Sequence, residues 1–379
     1  MPSRNADIFL GVEDMPFTKT ENVAMFEGAD WSGYKKTVSN CSPEQARRIA
    51  MLDPAISFFF FAREYMVLTN AAWAGPRTFN PRDAVFFSGE PWWGSAPQCD
   101  AYQKDGVSTA YIGSLGADPT SPLVAADYVT SQGLNAVDIV CLFAANINVT
   151  ATGDYVRLAP DVVVPAGGSL AVAHQDYIPV FQQSVAALQQ KGIAVLLSFL
   201  NNWDAAGWSE FATPADATSF AAQLQYVVDT YGFDGIDIDD EYSSGTPQPN
   251  SLAMVTAMIR QVLPDMILSK ALWQDIDDFD ENYDGSDLQQ TLTYGWEMSY
   301  GNDPQGILPV YVGRAGLAPR TLSYGFQAPS GDPSGSIAWL KDNGYAGFMV
   351  YAFESSDNQD LMGVLVNEWM GPGNWNKSG

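Results

Sequence analysis

Five carboxylates, Asp234, Asp237, Asp239, Asp240 and Glu241, fall within eight consecutive positions of the stretch YGFDGIDIDDEYSS (231–244). Like charges this close repel, so stability alone does not explain the cluster. On a β-strand, side chains alternate between faces. Asp237, Asp239 and Glu241 then share one face, and Ile236, Ile238 and Asp240 share the other. Carboxylates stacked in a confined site cannot all ionise, so they share protons and at least one pKa rises. A carboxylic acid kept protonated near neutral pH in this way can act as a general acid. The competing readings are a solvated acidic strand end and a cation site. A calcium loop runs DxDxDG with a Glu at position twelve. Counted from Asp237, the sixth position is Tyr242. The segment DENYDG (280–285) fits better, but its twelfth position is Thr291. Ile236 and Ile238 argue for a buried strand, so catalysis is the preferred reading.

The rest of the composition narrows the chemistry. The chain has a single histidine, His174, which leaves little room for His-based mechanisms. Cys41, Cys99 and Cys141 lie far apart without CxxC spacing, so a zinc site is not expected and at most one disulfide is possible. Cys141 sits in the apolar run VDIVCLF, where a buried thiol is expected. With 44 acidic against 18 basic residues the formal net charge is −26. This field repels polyanions, so neither nucleic acid nor an anionic membrane is an expected partner. Eleven Trp, seventeen Tyr and twenty Phe suit a large core and surfaces that grip sugar rings.

What must position the carboxylates is read from the alternation of apolar segments. Candidate strands are 109–114, 136–145, 193–200, 233–241, 266–273, 292–300, 320–326 and 347–353. Amphipathic stretches at 177–190, 215–231 and 251–263 separate some of them. Eight β–α repeats in this length predict a TIM (β/α)8 barrel, an α/β fold. Gly192, Gly232 and Gly344 stand where helix C-caps are needed. A doubly wound sheet is the alternative, but GSLGADP after the first strand lacks the GxGxxG spacing. Residues 1–107 read as a small β-rich N-terminal extension packed against a barrel domain at 108–379. The extension has one predicted helix at 42–52 with Ser42 as N-cap, a strand ISFFFFAREYMVL, a strand DAVFFSG, and a turn-rich segment EPWWGSAPQCDAYQK. Trp92 and Trp93 in that segment are read as core caps more readily than as sugar contacts. No run approaches the ~20 apolar residues of a membrane span. The N-terminus shows no apolar signal-peptide core. Asn40, Asn148 and Asn376 fit the N-glycosylation pattern.

The spacing Asp234-x-x-Asp237-x-Asp239-x-Glu241 resembles the DxxDxDxE signature of glycoside hydrolase family 18. The continuation DDEY, together with AVDIVCLFAANIN, VLLSFLNNWDAAGWSEF and YGWEMSYG, is similar to the Endo H-type endo-β-N-acetylglucosaminidases within it. The resemblance spans about residues 108–355 and does not include 1–107. It implies cleavage of the chitobiose core of N-linked glycans by a retaining, substrate-assisted route through an oxazoline. Glu241 would be proton donor and then base, Asp239 would orient the acetamide, Asp237 would hold Asp239, and Asp234 would be structural. Tyr300 would hydrogen-bond the acetamide carbonyl. Asn201, Asn202, Trp203, Trp296, Glu297 and Tyr351 are expected to touch substrate, with Trp208 also at the barrel mouth. The sequence departs from the family at Gly301, where an Asp is usual, and at Ser299, where the Endo H-type has a second tyrosine. Tyr351 or Phe353 replaces the eighth-strand Trp of chitinases, and Leu200-Asn201-Asn202-Trp203 replaces their third-strand glycines. The rival readings are a chitinase and a chitinase-like lectin. No metal or cofactor is expected; the expected partner is an N-glycan or glycoprotein. The family leads to an expectation of a secreted monomer.

Overall fold

The computed structural model describes residues 17–24, 33–68, 76–89, 94–113, 120–152, 155–160, 178–201, 205–300 and 303–378. Trp92, Trp93 and His174 lie outside the described residues.

Eight strands pair in parallel in chain order: β8 (Val107–Gly113), β10 (Ile139–Thr152), β12 (Ala194–Leu200), β13 (Gly235–Asp239), β14 (Ile267–Leu272), β15 (Tyr294–Glu297), β16 (Leu322–Phe326) and β17 (Gly347–Val350). β17 pairs back onto β8, Gly347 opposite Val107, which closes the barrel. The helices α2 (Ile178–Gln190), α3 (Pro214–Tyr231), α4 (Ser251–Val262), α5 (Leu288–Thr291), α6 (Pro304–Gly313), α7 (Ser334–Asp342) and α8 (Ser356–Met370) lie in the crossovers or after the last strand. α3 shows how the sequence sets its ends. The Thr213 side chain caps the Asp216 N–H, Pro214 opens the helix, and Gly232 ends it with a left-handed φ of 76°. The first crossover departs from the predicted repeat. A 3-10 stretch, Ser121–Asp127, and β9 (Tyr128–Val129) replace an α-helix, and β9 pairs with β18 (Asn376–Lys377) near the C-terminus.

Alternation along the strands sorts the barrel into two layers. Ile236, Ile238, Leu268, Leu272 and Val350 point outward into a core shared with the helices. Ile139, Cys141, Leu196, Ile267, Ala271, Trp296 and Met349 point inward and join a second cluster. The second cluster continues through Phe17, Met51, Ile56, Phe59, Phe61, Phe86 and Tyr102 of the extension. The extension therefore stoppers one end of the barrel. Asp234 and Asn135, just before β13 and β10, mark this as the end where strands begin. Arg48 pairs with Asp234 at 3.0 Å, Arg47 donates to the Asn135 carbonyl at 3.1 Å, and the Tyr294 hydroxyl donates to the Met51 carbonyl at 3.0 Å.

The extension is an antiparallel sheet of β1 (Phe17–Ala24), β7 (Gly94–Lys104), β3 (Phe58–Ala62), β6 (Ala84–Phe87) and β2 (Tyr34–Val38), in that order, with α1 (Pro43–Met51). α1 starts with a reciprocal Ser42–Gln45 capping box. Four consecutive phenylalanines are explained by two covered faces. Phe59 and Phe61 meet the barrel, and Phe58 and Phe60 pack with Met66 and Phe79 on the other side. Two expectations are corrected. The run ISFFFFAREYMVL is not one strand, because Arg63 and Glu64 turn the chain between β3 and β4 (Met66–Leu68), and β4 pairs instead with β5 (Arg77–Phe79). The turn-rich segment is mostly β7, an eleven-residue strand between β1 and β3. Pairing with β1 overrides the weak propensity of Gly94 and Ser95, and β3 pairs the strand from Cys99 to Gln103 on its other side. Pro97 falls in the irregularity where the β1 partner jumps from Asp100 to Ser95, so its missing N–H breaks no ladder bond with β1.

Candidate active site

β13 brings its acids to the barrel axis as the alternation predicts. Asp237 is fully buried, and four side chains donate to its carboxylate. Tyr111 of β8 and Ser198 of β12 reach Oδ2, each at 2.7 Å. Ser269 of β14 reaches Oδ1 at 2.6 Å, and the Trp296 indole of β15 at 3.1 Å. Burial pushes the Asp237 pKa up and the four donors oppose that shift. Asp237 thus ties together strands from around the barrel.

Asp239, one step nearer the mouth, has the opposite character. It is buried, yet its Oδ1 has no hydrogen-bond partner among the described residues. Burial, then the charges of Glu241 and Asp237, hold its pKa well above the usual carboxylate range. The four donors to Asp237 come from other strands, and the Asp237 charge acts on Asp239. Glu241 follows at the strand exit, half-buried, with its pKa raised by burial and restrained by a hydrogen bond from Tyr242 and the Lys270 cation. The geometry offers a buried acid, Asp239, whose charged form is disfavoured, beside a half-exposed acid, Glu241.

Aromatic rings wall this space. Tyr351, pointing inward after β17, lies 5.9 Å from the Tyr300 ring, 5.6 Å from Phe143 and 6.5 Å from Tyr111. Burial and the Asp239 charge keep the Tyr300 phenol protonated, far above its ordinary pKa. Tyr242 and Trp273 stand exposed at the exits of β13 and β14. Outside the barrel wall, Lys270 is buried between Asp275, which it contacts directly, and Asp278 at 3.6 Å. Among the described residues no group of His, Cys, Asp or Glu is placed to hold a metal ion.

The structure brings Asp237, Asp239, Glu241, Tyr300 and Tyr351 together. Asn202 and Trp203 lie outside the described residues. Three expected substrate contacts are corrected. Trp296 is fully buried beneath Asp237, so it has no free face for a sugar. Asn201 is buried with its amide committed to Asp240 at 2.8 Å and its carbonyl to the Trp208 N–H at 3.1 Å. Glu297 is buried and accepts two bonds from Ser299. Trp208 is also fully buried, donating to the Phe199 carbonyl, and does not reach the mouth. Asp234 is structural as expected: it binds Arg48, Gln189 and the Val195 N–H. Sequence reading missed Tyr111, Ser198 and Ser269. Their signal was there, as polar side chains of inward parity inside the apolar runs TAYIGS, VLLSFL and MILSKALW.

Comparison with known proteins agrees with this geometry. Residues 128–316 match the model of the glycosyl hydrolases family 18. An endo-beta-N-acetylglucosaminidase of Flavobacterium sp. (strain SK1022) is 32% identical over 247 residues, covering 61% of this chain and 70% of the relative. Endo-beta-N-acetylglucosaminidase F1 of Elizabethkingia meningoseptica is 28% identical over 256 residues, 65% of this chain and 72% of that protein. The crystal structure of Bacteroides thetaiotamicron EndoBT-3987 with Man5GlcNAc product superposes with a TM-score of 0.55 at 16% identity, covering 95% of this chain and 90% of that one, and shows the shared fold. With the signature carboxylates on the fourth strand of a closed barrel, the chain belongs to family 18 of the glycosyl hydrolases and is a glycoside hydrolase.

Proposed function

We propose that the protein is an endo-β-N-acetylglucosaminidase that cuts between the two N-acetylglucosamines at the base of N-linked glycans and leaves one on the asparagine. The observation that carries this reading is the buried Asp239 carboxyl, with an unpartnered Oδ1, between Glu241 and the Tyr300 phenol. The Asp239 carboxyl and a phenol are donors or acceptors suited to an acetamide, whose oxygen and N–H need opposite partners. Held against the anomeric carbon, the acetamide oxygen attacks, the glycosidic C–O bond breaks, and the leaving oxygen takes the Glu241 proton. Water then opens the oxazolinium ion so formed while Glu241 takes a proton back, so the anomeric configuration is retained. Tyr351 supplies an aromatic wall for the sugar, and Asn202 and Trp203 remain proposed contacts. That both relatives are endo-β-N-acetylglucosaminidases supports this substrate over chitin. We also read the enzyme as secreted, since such glycans decorate extracellular proteins, and as a monomer. Incubation with a high-mannose glycoprotein, read by intact mass, tests the activity. The expected product retains a single N-acetylglucosamine per site. An unchanged glycoprotein alongside hydrolysed chitin oligomers would replace this reading with a chitinase.

A further inference from the structure

Tyr294, Trp296 and Met298 enter the inner cluster, so Glu297 between them faces out of the barrel. A buried, outward-facing carboxyl needs partners. Its Oε2 accepts from the Ser299 N–H at 3.2 Å and from the Ser299 hydroxyl at 2.8 Å. These two bonds tie the chain back to Glu297 just before it bends at Tyr300. The next residue, Tyr300, has a φ of +44°, a left-handed conformation that a tyrosine holds only when its surroundings impose it. The neighbouring strand makes room for the bend. A Cβ on Gly325 of β16 would stand 2.6 Å from the Glu297 carbonyl and 3.1 Å from Tyr300 Cε1. The Tyr351 ring also packs on Tyr300, at 5.9 Å between ring centroids.

We propose that Glu297 is a positioning residue: by binding both donors of Ser299 it locks the bend that aims the Tyr300 phenol into the acetamide site. This rests on the proposed role of Tyr300 at the acetamide. It assigns the one acid of strand β15 to the catalytic geometry without contact with substrate. Gly325 has the complementary part, because only a residue without a side chain leaves space for the Glu297 carbonyl and the Tyr300 ring together.

The test is a double-mutant cycle on a high-mannose glycopeptide, with kcat and KM measured separately and thermal melts as a fold control. E297A and Y300F should each lower kcat by about tenfold or more, as expected for a catalytic group displaced by a fraction of its reach. In the Y300F background, E297A should cost no more than about a further twofold, because the group it positions is already gone. E297Q, whose amide oxygen accepts both Ser299 bonds, should retain most of the activity. Losses that multiply in the double variant would overturn the proposal, as would an E297A enzyme of wild-type rate. If E297A fails to fold, S299A replaces it in the cycle, and losses that multiply there overturn the proposal equally. A crystal structure of E297A (or S299A) tests the proposal whatever substrate the wild type cuts. Tyr300 should leave the left-handed region, and an unmoved Tyr300 would refute it. A wild type that leaves the glycopeptide intact would count against the functional reading instead.

Discussion

The two ends of the barrel are built on opposite principles. At the end stoppered by the extension, apolar rings fill the barrel, and Asp138, Lys104 and Asp234 are each hydrogen-bonded or paired. Asp138 accepts from the Ser108 N–H and hydroxyl, Lys104 donates to the Ala50 and Asp53 carbonyls, and Arg48 pairs with Asp234. At the mouth, Asp239 keeps an unpartnered oxygen, and Tyr242, Gln274, Tyr300 and Ala352 hold left-handed backbone at the exits of β13, β14, β15 and β17. Unsatisfied polar atoms and strained backbone cost stability wherever they occur. Four left-handed non-glycine residues stand at the strand exits, and the apolar packing of the closed end supplies the stability on which that strained end draws.

The largest expected effect is at the mouth. Glu241→Gln should leave the fold and glycan affinity intact while kcat falls by about 10²–10⁴-fold, the range a positioned general acid supplies. A variant within tenfold of wild type would remove Glu241 from that role. At the closed end the opposite pattern is expected. A chain starting near residue 106 should be insoluble, since it exposes the inward apolar cluster that Phe59 and Tyr102 now cover. More gently, Phe59→Ala should destabilise by about 3–5 kcal/mol, measured by denaturant unfolding, with kcat unchanged well below the melting temperature. A soluble, fully active truncation would show that the ends are independent.

Ser269→Ala links the two ends, because it removes one of the four donors to Asp237. It should cost about 1.5–3 kcal/mol, the scale of a hydrogen bond to a charged group, and also lower kcat. The smallest effect is a pH dependence. Burial raises the Asp138 pKa to about 7 from 3.8. The folded protein then holds a proton there that the unfolded chain releases, so the contribution of Asp138 to stability is present below pH 4 and lost as pH rises to about 7. In Asp138→Asn, the fall in melting temperature across that window should shrink; an unaltered profile would exclude Asp138 as its source.

The sequence made the barrel and its carboxylates legible because both depend on period. Alternation placed Asp237, Asp239 and Glu241 on one face, and the spacing of eight apolar runs counted the strands. Exposure has no such signature. Trp296, Trp208 and Asn201 have the residue types of a sugar site but are buried, and nothing local distinguishes them from a true contact. Strand β7 was hidden for a different reason, since its pairing partners Phe58–Ala62 and Phe17–Ala24 lie far off in sequence and override its Gly and Pro content. Tyr111, Ser198 and Ser269 were legible in principle, as polar residues on inward parity, but only once Asp237 is known to lie between them.

The central claim is that the mouth works through the substrate's own acetamide, oriented by Asp239. The direct measurement is Asp239→Asn assayed on an intact high-mannose glycopeptide and, in parallel, on a preformed sugar oxazoline donor. Hydrolysis of the glycopeptide should fall sharply while the oxazoline is still consumed, because only the first requires the acetamide to be driven onto the anomeric carbon. A variant that cleaves intact glycan at the wild-type rate would contradict the account.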